Sequence, residues 1–284
     1  MIVKSYAKIN IVLNVLGKHD DRFHEIDMVT LPIELHDSLS ITKFNDSNSY
    51  VTFANTALGG DDNNLATSAL KMMREGYNIK DNFRILINKV IPISAGLGGG
   101  SSNAAATLKA VNAISNCNLS DDELAKIGFK LGSDVPFFVY GKPARVSGGG
   151  EIVKPVKVKN TYYCLIVKPK KGLSTKEVYS LCDSVELKTY NIENVIKALE
   201  EGDDELLEKE IGNALETPAL QLLPEINDIK NTLKELGFKI VLMSGSGSSV
   251  FALSTDKKFT KKVFKKLIKE QNDYGAIEMC KVIN

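Results

Sequence analysis

A glycine-rich segment in the first half of the chain most constrains its fold and function. It reads Pro92-Ile93-Ser94-Ala95-Gly96-Leu97-Gly98-Gly99-Gly100-Ser101-Ser102-Asn103-Ala104-Ala105-Ala106. Because ordered glycine loses much conformational entropy, four glycines in five positions before a helix indicate that bare backbone is needed there. The amides can then converge on an anion, and the helix adds its positive end and two hydroxyl groups. The segment predicts a phosphate-binding loop; the alternative is a flexible turn before a tightly packed, alanine-rich helix.

The loop differs from the two common nucleotide-binding fingerprints. No Gly-Lys-Ser/Thr follows, as a Walker A loop requires, and Ser101 stands where a dinucleotide-binding motif has its third glycine. A second cluster, Ser244-Gly245-Ser246-Gly247-Ser248-Ser249, joins two predicted strands and could approach the first loop from the other domain. By itself this cluster is also typical of an ordinary hairpin.

Two short segments add reactive side chains. In Ala7-Lys8-Ile9-Asn10 the lysine and the asparagine share one strand face, although a lysine at the start of a strand is often simply solvated. Asp134 lies in the otherwise apolar stretch Leu131 to Phe138. A carboxylate there either caps the turn or needs partners that shift its pKa.

Composition argues against several classes of function. The 284 residues include 36 Lys+Arg and 35 Asp+Glu, a net charge of +1, which provides no general attraction for nucleic acid or a membrane surface. Apolar runs stay far below the roughly 18 residues of a membrane span, and Met1 to Lys8 contains no apolar signal core. We therefore expect a cytoplasmic protein with no nucleic-acid or membrane partner.

Cysteine and histidine spacing predicts no metal site. Cys117, Cys164, Cys182 and Cys280 are too far apart for a CxxC pair or a zinc knuckle, so we expect buried or inert thiols. His19 and His24 match no zinc pattern.

The order of predicted elements favours an α+β fold in two domains, 1–150 and 151–284. Predicted strands are Ile9–Leu16, Leu31–Thr42, Tyr50–Ala54, Phe83–Ile87, Val146–Val153 as a hairpin, Tyr162–Val167, Phe238–Met243, Val250–Leu253 and Ala276–Ile283. Predicted helices are Asn64–Gly76, Ser101–Ser115, Ile192–Leu215, Glu225–Leu236 and Phe259–Ile268. Seven lysines in and around the last helix suggest a nucleic-acid or membrane surface, but a solvated face of an amphipathic helix is the favoured interpretation.

Together these segments resemble the GHMP kinases, the superfamily of galactokinase, homoserine kinase, mevalonate kinase and phosphomevalonate kinase. Pro92–Ala106 is similar to the middle motif of the family and Ser244–Ser249 to its C-terminal motif. Three further segments, Ala7–Asn10, Gly17–Ile26 and Gly132–Phe138, resemble the branch that uses a cytidine diphosphate-linked methylerythritol. The resemblance implies a two-domain GHMP kinase fold, with an N-terminal ribosomal-protein-S5-like domain and a C-terminal ferredoxin-like domain.

The resemblance also implies ATP, a divalent cation such as Mg²⁺ with no ligand assigned, and phosphorylation of the substrate's 2-hydroxyl in the non-mevalonate isoprenoid pathway. It makes Asp134 the catalytic base and Lys8 its partner. The residues implied for ATP, with Asn64 near the adenine, are Asn64, Pro92, Ser94, Ala95, Gly96, Leu97, Gly98, Gly99, Gly100, Ser101 and Ser102. Those implied for the substrate are Asn10, Phe23, His24, Thr175, Tyr179, Gly245 and Ser246. Phe23 and His24 match a cytosine-binding pair, Tyr179 a second aromatic wall and Thr175 a methylerythritol contact.

One segment departs from the family pattern. The common form is Asp-Gly-Tyr-His, whereas this chain has Asp21-Arg22-Phe23-His24, which loses the tyrosine hydroxyl and a glycine.

Two alternatives stay open: another GHMP kinase of the homoserine or mevalonate type, and a non-catalytic nucleotide sensor with this fold. The presence of Lys8, Asp134 and both glycine clusters argues against the sensor. We expect a monomer or a weak homodimer.

Overall fold

The computed structural model describes residues 1–18, 24–44, 48–54, 64–270 and 273–284. The strands are β1 (Ile2–Lys18), β2 (His24–Phe44), β3 (Tyr50–Phe53), β4 (Asn82–Asn88), β5 (Ala144–Gly148), β6 (Ile152–Pro155), β7 (Tyr163–Pro169), β8 (Gly212–Asn213), β9 (Ile240–Met243), β10 (Val250–Ser254) and β11 (Tyr274–Lys281). The helices are α1 (Leu65–Gly76), α2 (Gly99–Ile114), α3 (Asp121–Phe129), α4 (Val135–Tyr140), α5 (Thr175–Cys182), α6 (Ile192–Glu201), α7 (Asp204–Glu210), α8 (Glu216–Leu222), α9 (Glu225–Glu235) and α10 (Lys257–Lys269).

The chain forms two compact units, and both contain strands and helices. Unit one comprises Met1–Ala7, His36–Ile91 and Gly98–Gly141; unit two comprises Lys8–Leu35, Pro92–Leu97 and Lys142–Asn284. The predicted α+β class is confirmed. Strands β1 and β2 each run from one unit into the other along the chain. The domain boundary at residue 150 stays a prediction.

Unit one packs helices against a small sheet. The segment Ser38–Phe44 of β2 pairs antiparallel with β4, and β3 pairs parallel with β4. Alternate β4 residues, Phe83, Ile85 and Ile87, are buried, as expected for a strand with one face on a core. Helix α2 contacts α1, α3 and α4, and its alanines let the helices approach closely. This packing holds the start of α2, where the glycine-rich segment ends.

Unit two contains a four-stranded antiparallel sheet in the order β11-β7-β10-β9. Helices α9 and α10 pack against this sheet. Elsewhere in the unit, the first part of β2 pairs with β5, and β1 pairs in parallel with β8 at Val12 and Leu13. The β9–β10 connection therefore presents the second glycine cluster at one end of the sheet.

The predicted helix over Ile192–Leu215 is wrong, because this region contains three elements. Helix α6 ends at Gly202, whose φ of 72° is left-handed and suits glycine. Asp203 then caps α7 by accepting hydrogen bonds from two backbone amides. After α7, the buried pair Gly212–Asn213 forms β8.

The lysine-rich segment forms the amphipathic helix α10, as predicted. Thr260, Val263 and Leu267 are buried and the lysines are exposed or partly exposed around them. Across the described ranges, none of the helices combines the length and apolar character that crossing a membrane requires.

Candidate active site

The two glycine clusters meet, as predicted, but the residues in contact belong to one compact unit, unit two, and not to different units. Ser244 Oγ donates to the carbonyl of Gly96 at 3.0 Å, and the amide of Ser249 donates to the carbonyl of Ala95 at 3.2 Å. Gly96 has a φ of 71°, and a Cβ there would lie 1.9 Å from the carbonyl oxygen of Ser244. A side chain at this position would push the clusters apart, so glycine is required by contact as well as by conformation.

Lys8 is buried beside Asn10 on β1, so the interpretation of Lys8 as a solvated lysine is excluded. Only 4% of Lys8 is exposed, and its Nζ donates to Asn10 Oδ1 at 2.7 Å. The Asn10 amide donates in turn to Thr30 Oγ1 at 3.0 Å. This hydrogen bonding confirms that Lys8 and Asn10 share a strand face. Burying an ammonium group is costly unless it is hydrogen-bonded, and Asn10 supplies such a bond here.

Gly245 of the second cluster lies against this pair. A Cβ on Gly245 would lie 2.9 Å from Lys8 Nζ and 3.4 Å from Asn10 Oδ1. Its own φ is 55°, in the left-handed region. The bare Cα therefore leaves room for the lysine head group.

Asn213 fixes the position of this part of the second cluster, and the sequence reasoning missed it. Its Nδ2 donates to the carbonyls of Met243 at 2.9 Å and Gly245 at 2.8 Å. The side chain is fully buried. Because the surrounding segment was interpreted as helix, its sequence offered no signal for this role.

Thr175 and Ser246, both implied substrate residues, are brought together. Their hydroxyl oxygens are 2.9 Å apart, with Thr175 at the start of α5 and Ser246 in the β9–β10 connection. The turn before α5 also reaches the first cluster, since a Cβ on Gly172 would lie 2.7 Å from Ser94 Cβ. Residues from three distant segments thus lie close together in unit two.

His24 and Tyr179 form an aromatic pair. Their ring centroids are 5.0 Å apart with a tilt of 40°. His24 Nε2 is buried and has no hydrogen-bond partner among the described residues, although Asp183 Oδ1 lies 3.7 Å away. A buried imidazole nitrogen of this kind suits a polar ligand atom. Phe23 falls outside the described residues.

In unit one, helix α2 begins at Gly99, two residues before the predicted start, and Gly98 occupies the N-cap position. Helix α1 begins beside it, since a Cβ on Gly100 would lie 3.8 Å from Leu65 Cδ1. Asn64, the first residue of the predicted helix, caps α1 by accepting from the amide of Thr67 at 2.9 Å. Two helix amino termini, each with partly positive amides, therefore lie close together.

Asp134 occupies the N-cap position of α4 and is half-buried. Its turn lies beside the first turn of α2, because a Cβ on Gly132 would lie 3.9 Å from Ser101 Oγ. The structure thus brings the turn of the implied base close to an implied ATP-binding hydroxyl.

The thiols are only partly as expected. Cys164 and Cys182 are buried. Burial raises the pKa of the Cys182 thiol to about 11 and also raises the pKa of the Cys164 thiol. Both are therefore poor nucleophiles, as predicted. Cys117 and Cys280 are instead half-buried. Within the described ranges, no cluster of three or more His, Cys, Asp or Glu side chains could hold a metal ion.

Comparison with known families identifies the class of protein. The family model described as GHMP kinases N terminal domain matches residues 64–142, and that described as GHMP kinases C terminal matches residues 195–273. Both models match in their expected order, so this is a GHMP kinase, an ATP-dependent phosphotransferase. The predicted two-domain GHMP kinase fold is confirmed.

Individual relatives identify the family within the GHMP kinases to which this chain belongs. A 4-diphosphocytidyl-2-C-methyl-D-erythritol kinase of Clostridium perfringens is 37% identical over 100% of this chain and 99% of its own length. One from Bacillus subtilis is 40% identical over 89% of this chain and 88% of its own. A crystal structure of 4-(cytidine 5'-diphospho)-2C-methyl-D-erythritol kinase superimposes with a TM-score of 0.82, at 30% identity, and covers 100% of both chains. This chain belongs to the 4-diphosphocytidyl-2-C-methyl-D-erythritol kinase family.

Proposed function

We propose that this enzyme transfers the γ-phosphoryl group of ATP to the 2-hydroxyl of 4-diphosphocytidyl-2-C-methyl-D-erythritol, a step of the non-mevalonate isoprenoid pathway. The observation that carries the proposal is the match along the whole chain to kinases named for this substrate. The buried Nε2 of His24, which has no hydrogen-bond partner in the part of the chain that the structure describes, lies beside the Tyr179 ring and supports a base-binding role.

The glycine-rich segment Pro92–Ser102 is proposed to hold the phosphates of ATP. Phosphoryl transfer needs mainly alignment and charge stabilisation from the protein. Backbone amides at the start of α2 supply donors and partial positive charge, and the glycines leave the backbone bare. Asn64, which caps the amino end of the neighbouring helix α1, is proposed to lie near the adenine.

Asp134 is proposed to accept the proton of the attacking hydroxyl. Lys8 would keep that carboxylate ionised and offset the charge that develops on the attacking oxygen. The hydrogen bond to Asn10 fixes the direction of the lysine head group, which suits this role. In the alternative, Lys8 only orients the carboxylate.

The described residues that we propose to bind the substrate belong to unit two. His24, Tyr179 and Phe23 would bind the cytosine, with the His24 nitrogen meeting a polar atom on the base edge. The paired hydroxyls of Thr175 and Ser246 suit a polyol such as methylerythritol. Asn10 and Gly245 complete the proposed substrate contacts.

A divalent cation, Mg²⁺, is proposed to enter with ATP. Mg²⁺ usually binds one or two carboxylates together with substrate phosphates and keeps several waters, so a preformed protein cage is unnecessary. When bound, it neutralises phosphate charge. We also propose that the enzyme works in the cytoplasm as a monomer or a weak homodimer.

A coupled assay of ADP release over three acceptors tests the function. We expect turnover with the cytidine diphosphate-linked methylerythritol and none above background with homoserine or mevalonate. Preference for homoserine or mevalonate would assign the chain to another GHMP kinase. ATP binding without turnover on any acceptor would instead favour the nucleotide sensor.

A further inference from the structure

A buried ion pair lies beneath the first turn of α2 in unit one. Lys89 Nζ, at the end of β4, donates to Asp37 Oδ2 on β2 at 2.5 Å. The Asp37 side chain is 0% exposed and that of Lys89 is 10% exposed. Asp37 also accepts from the backbone amides of Val90 at 2.8 Å and Ile91 at 2.9 Å. The carboxylate therefore holds the segment that follows β4 at two backbone positions as well as through the lysine.

This pair is connected to α2 by hydrogen bonds. Asn103 Nδ2 donates to Asp37 Oδ2 at 2.9 Å and to Ser5 Oγ at 2.8 Å, while its Oδ1 faces Lys89 Nζ at 3.4 Å. Ser5 Oγ donates to Ser102 Oγ at 2.7 Å. We call Ser5, Asp37, Lys89, Ser102 and Asn103 the Asp37 network.

The direction of these bonds determines what the Ser102 hydroxyl does. An amide Nδ2 can only donate, so Ser5 accepts from Asn103. Ser5 in turn donates its proton to Ser102. Ser102 thus accepts this hydrogen bond, which leaves its own proton available for another acceptor. Ser102 lies in the first turn of α2, where the acceptors would be phosphate oxygens.

Lys89 also places a positive charge where helix electrostatics disfavours one. A Cβ on Gly99, the first residue of α2, would lie 3.0 Å from Lys89 Nζ. The amino end of a helix is partly positive and is stabilised by anions, so an ammonium group beside it is repelled. Burying an ion pair rarely adds stability over apolar packing. Asp37 offsets part of this repulsion, and a bound polyanion would add its attraction for both the helix end and the lysine.

We propose that the Asp37 network is a positioning device for ATP: it fixes the first turn of α2, directs the Ser102 hydroxyl and supplies the Lys89 charge to the phosphates. The inference rests on the proposed phosphate-binding role of that turn. Ser5, Asp37, Asn103 and Lys89 act through α2 and are positioning residues.

Four full-length variants test it. Lys89→Met removes the positive charge of the pair. Asp37→Asn/Lys89→Met removes both charges, so that neither is left buried without its partner. Ser5→Ala removes the hydrogen bond to Ser102. The control is Lys43→Met, since Lys43 pairs with Asp81 at 2.7 Å in a surface ion pair, with 47% and 45% of the two side chains exposed. Calorimetry with Mg²⁺–ATP in the absence of acceptor gives the affinity, and thermal unfolding gives the stability.

We expect Lys89→Met to weaken ATP binding about tenfold or more, through loss of a nearby charge in a partly buried site. The double variant should recover thermal stability relative to Lys89→Met and still bind ATP at least about threefold more weakly than wild type. Ser5→Ala should weaken ATP about 3- to 10-fold, the equivalent of one hydrogen bond, and Lys43→Met should change it less than about twofold. In turnover assays the KM for ATP should rise while that for the cytidine substrate stays within about twofold.

A merely structural network gives a different pattern. ATP affinity would then return to the wild-type value in the double variant along with stability, and Ser5→Ala would bind ATP normally; either result overturns the proposal. If Lys89→Met does not fold, the double variant and Ser5→Ala still decide the question. Failure of the wild type to phosphorylate the cytidine substrate would refute the proposed function, while the calorimetry would still test the network.

Discussion

Replacing Gly245 by alanine should impair catalysis more than it impairs folding. The new Cβ would lie 2.9 Å from Lys8 Nζ and 2.9 Å from the carbonyl oxygen of Gly96. Both distances are below the roughly 3.5–4.0 Å of a comfortable contact, so Lys8 or the backbone must move by about 0.6–1 Å. The left-handed φ of 55° adds about 1–2 kcal/mol of backbone strain for any side chain.

The displacement sets the size of the catalytic effect. A displacement of about 1 Å of a catalytic group can lower the rate about 10²-fold. We therefore expect the kcat of Gly245→Ala to fall by about 10- to 100-fold. The free energy of unfolding should fall by only a few kcal/mol. A coupled assay of ADP release at saturating substrates measures kcat, and urea unfolding measures stability.

Gly141→Ala is the matched control for backbone strain. Gly141 has a similar φ of 64°, but its Cβ would lie 3.7 Å from the carbonyl oxygen of Phe138, an ordinary contact. This variant should lose comparable backbone energy and retain most of its activity. If Gly245→Ala loses no more activity than Gly141→Ala, crowding of Lys8 does not matter for catalysis and the argument fails.

Three further substitutions test other parts of the enzyme. Asp134→Asn cannot take a proton, so turnover should fall about 10²- to 10⁴-fold with both substrates still bound; a fall below about tenfold with chemistry rate-limiting would assign the base elsewhere. Tyr179→Ala should raise the KM for the cytidine substrate about 5- to 150-fold with little change in the KM for ATP. The control Tyr77→Ala, at a residue 41% exposed, should change neither KM. Equal KM values for the cytidine substrate in the two variants would show that Tyr179 does not stack on the cytosine. Burial raises the pKa of Glu278 above its usual 4.5, so ionisation costs stability as the pH rises through the folded-state pKa. Glu278→Gln should therefore raise Tm near pH 7 and leave it unchanged near pH 4, and an equal gain at both pH values would contradict this cause.

Local sequence signals predicted much of the fold. Asn64 precedes an apolar helical repeat and caps α1, because the capping interaction involves residues only a few positions apart. The alternation in β4 and the amphipathic pattern of α10 are likewise properties of short windows. The glycine segments were identifiable because their composition is unfavourable without a specific contact.

Interactions between distant segments account for what was missed. Asp37 lies inside a predicted strand, and nothing nearby in the sequence shows that Lys89 and Asn103 converge on it. Because Glu34, His36 and Ser38 surround Asp37 in the sequence, nothing marks this aspartate as buried, although a buried carboxylate needs partners. The predicted helix across Gly202 is an error of the opposite kind, because a local pattern was given too much weight. The apolar periodicity continues on both sides of this glycine, which caps the end of α6. The helix start at Gly99 was missed because glycine is a poor helix former and α2 is held by packing.

The surroundings of Lys8 have a consequence for how the enzyme is made. Lys8 is translated well before Leu97 and Gly245, yet its amide donates to the carbonyl of Leu97 and its head group packs beside Gly245. Contacts of such long sequence separation form slowly, since a large loop must close before they add stability. Synthesis must therefore pass β9 before the lysine can be enclosed. A nascent chain that stops short of that point would carry the proposed catalytic lysine without its enclosure, and we expect phosphoryl transfer to begin only after β9 and the second glycine cluster have been translated.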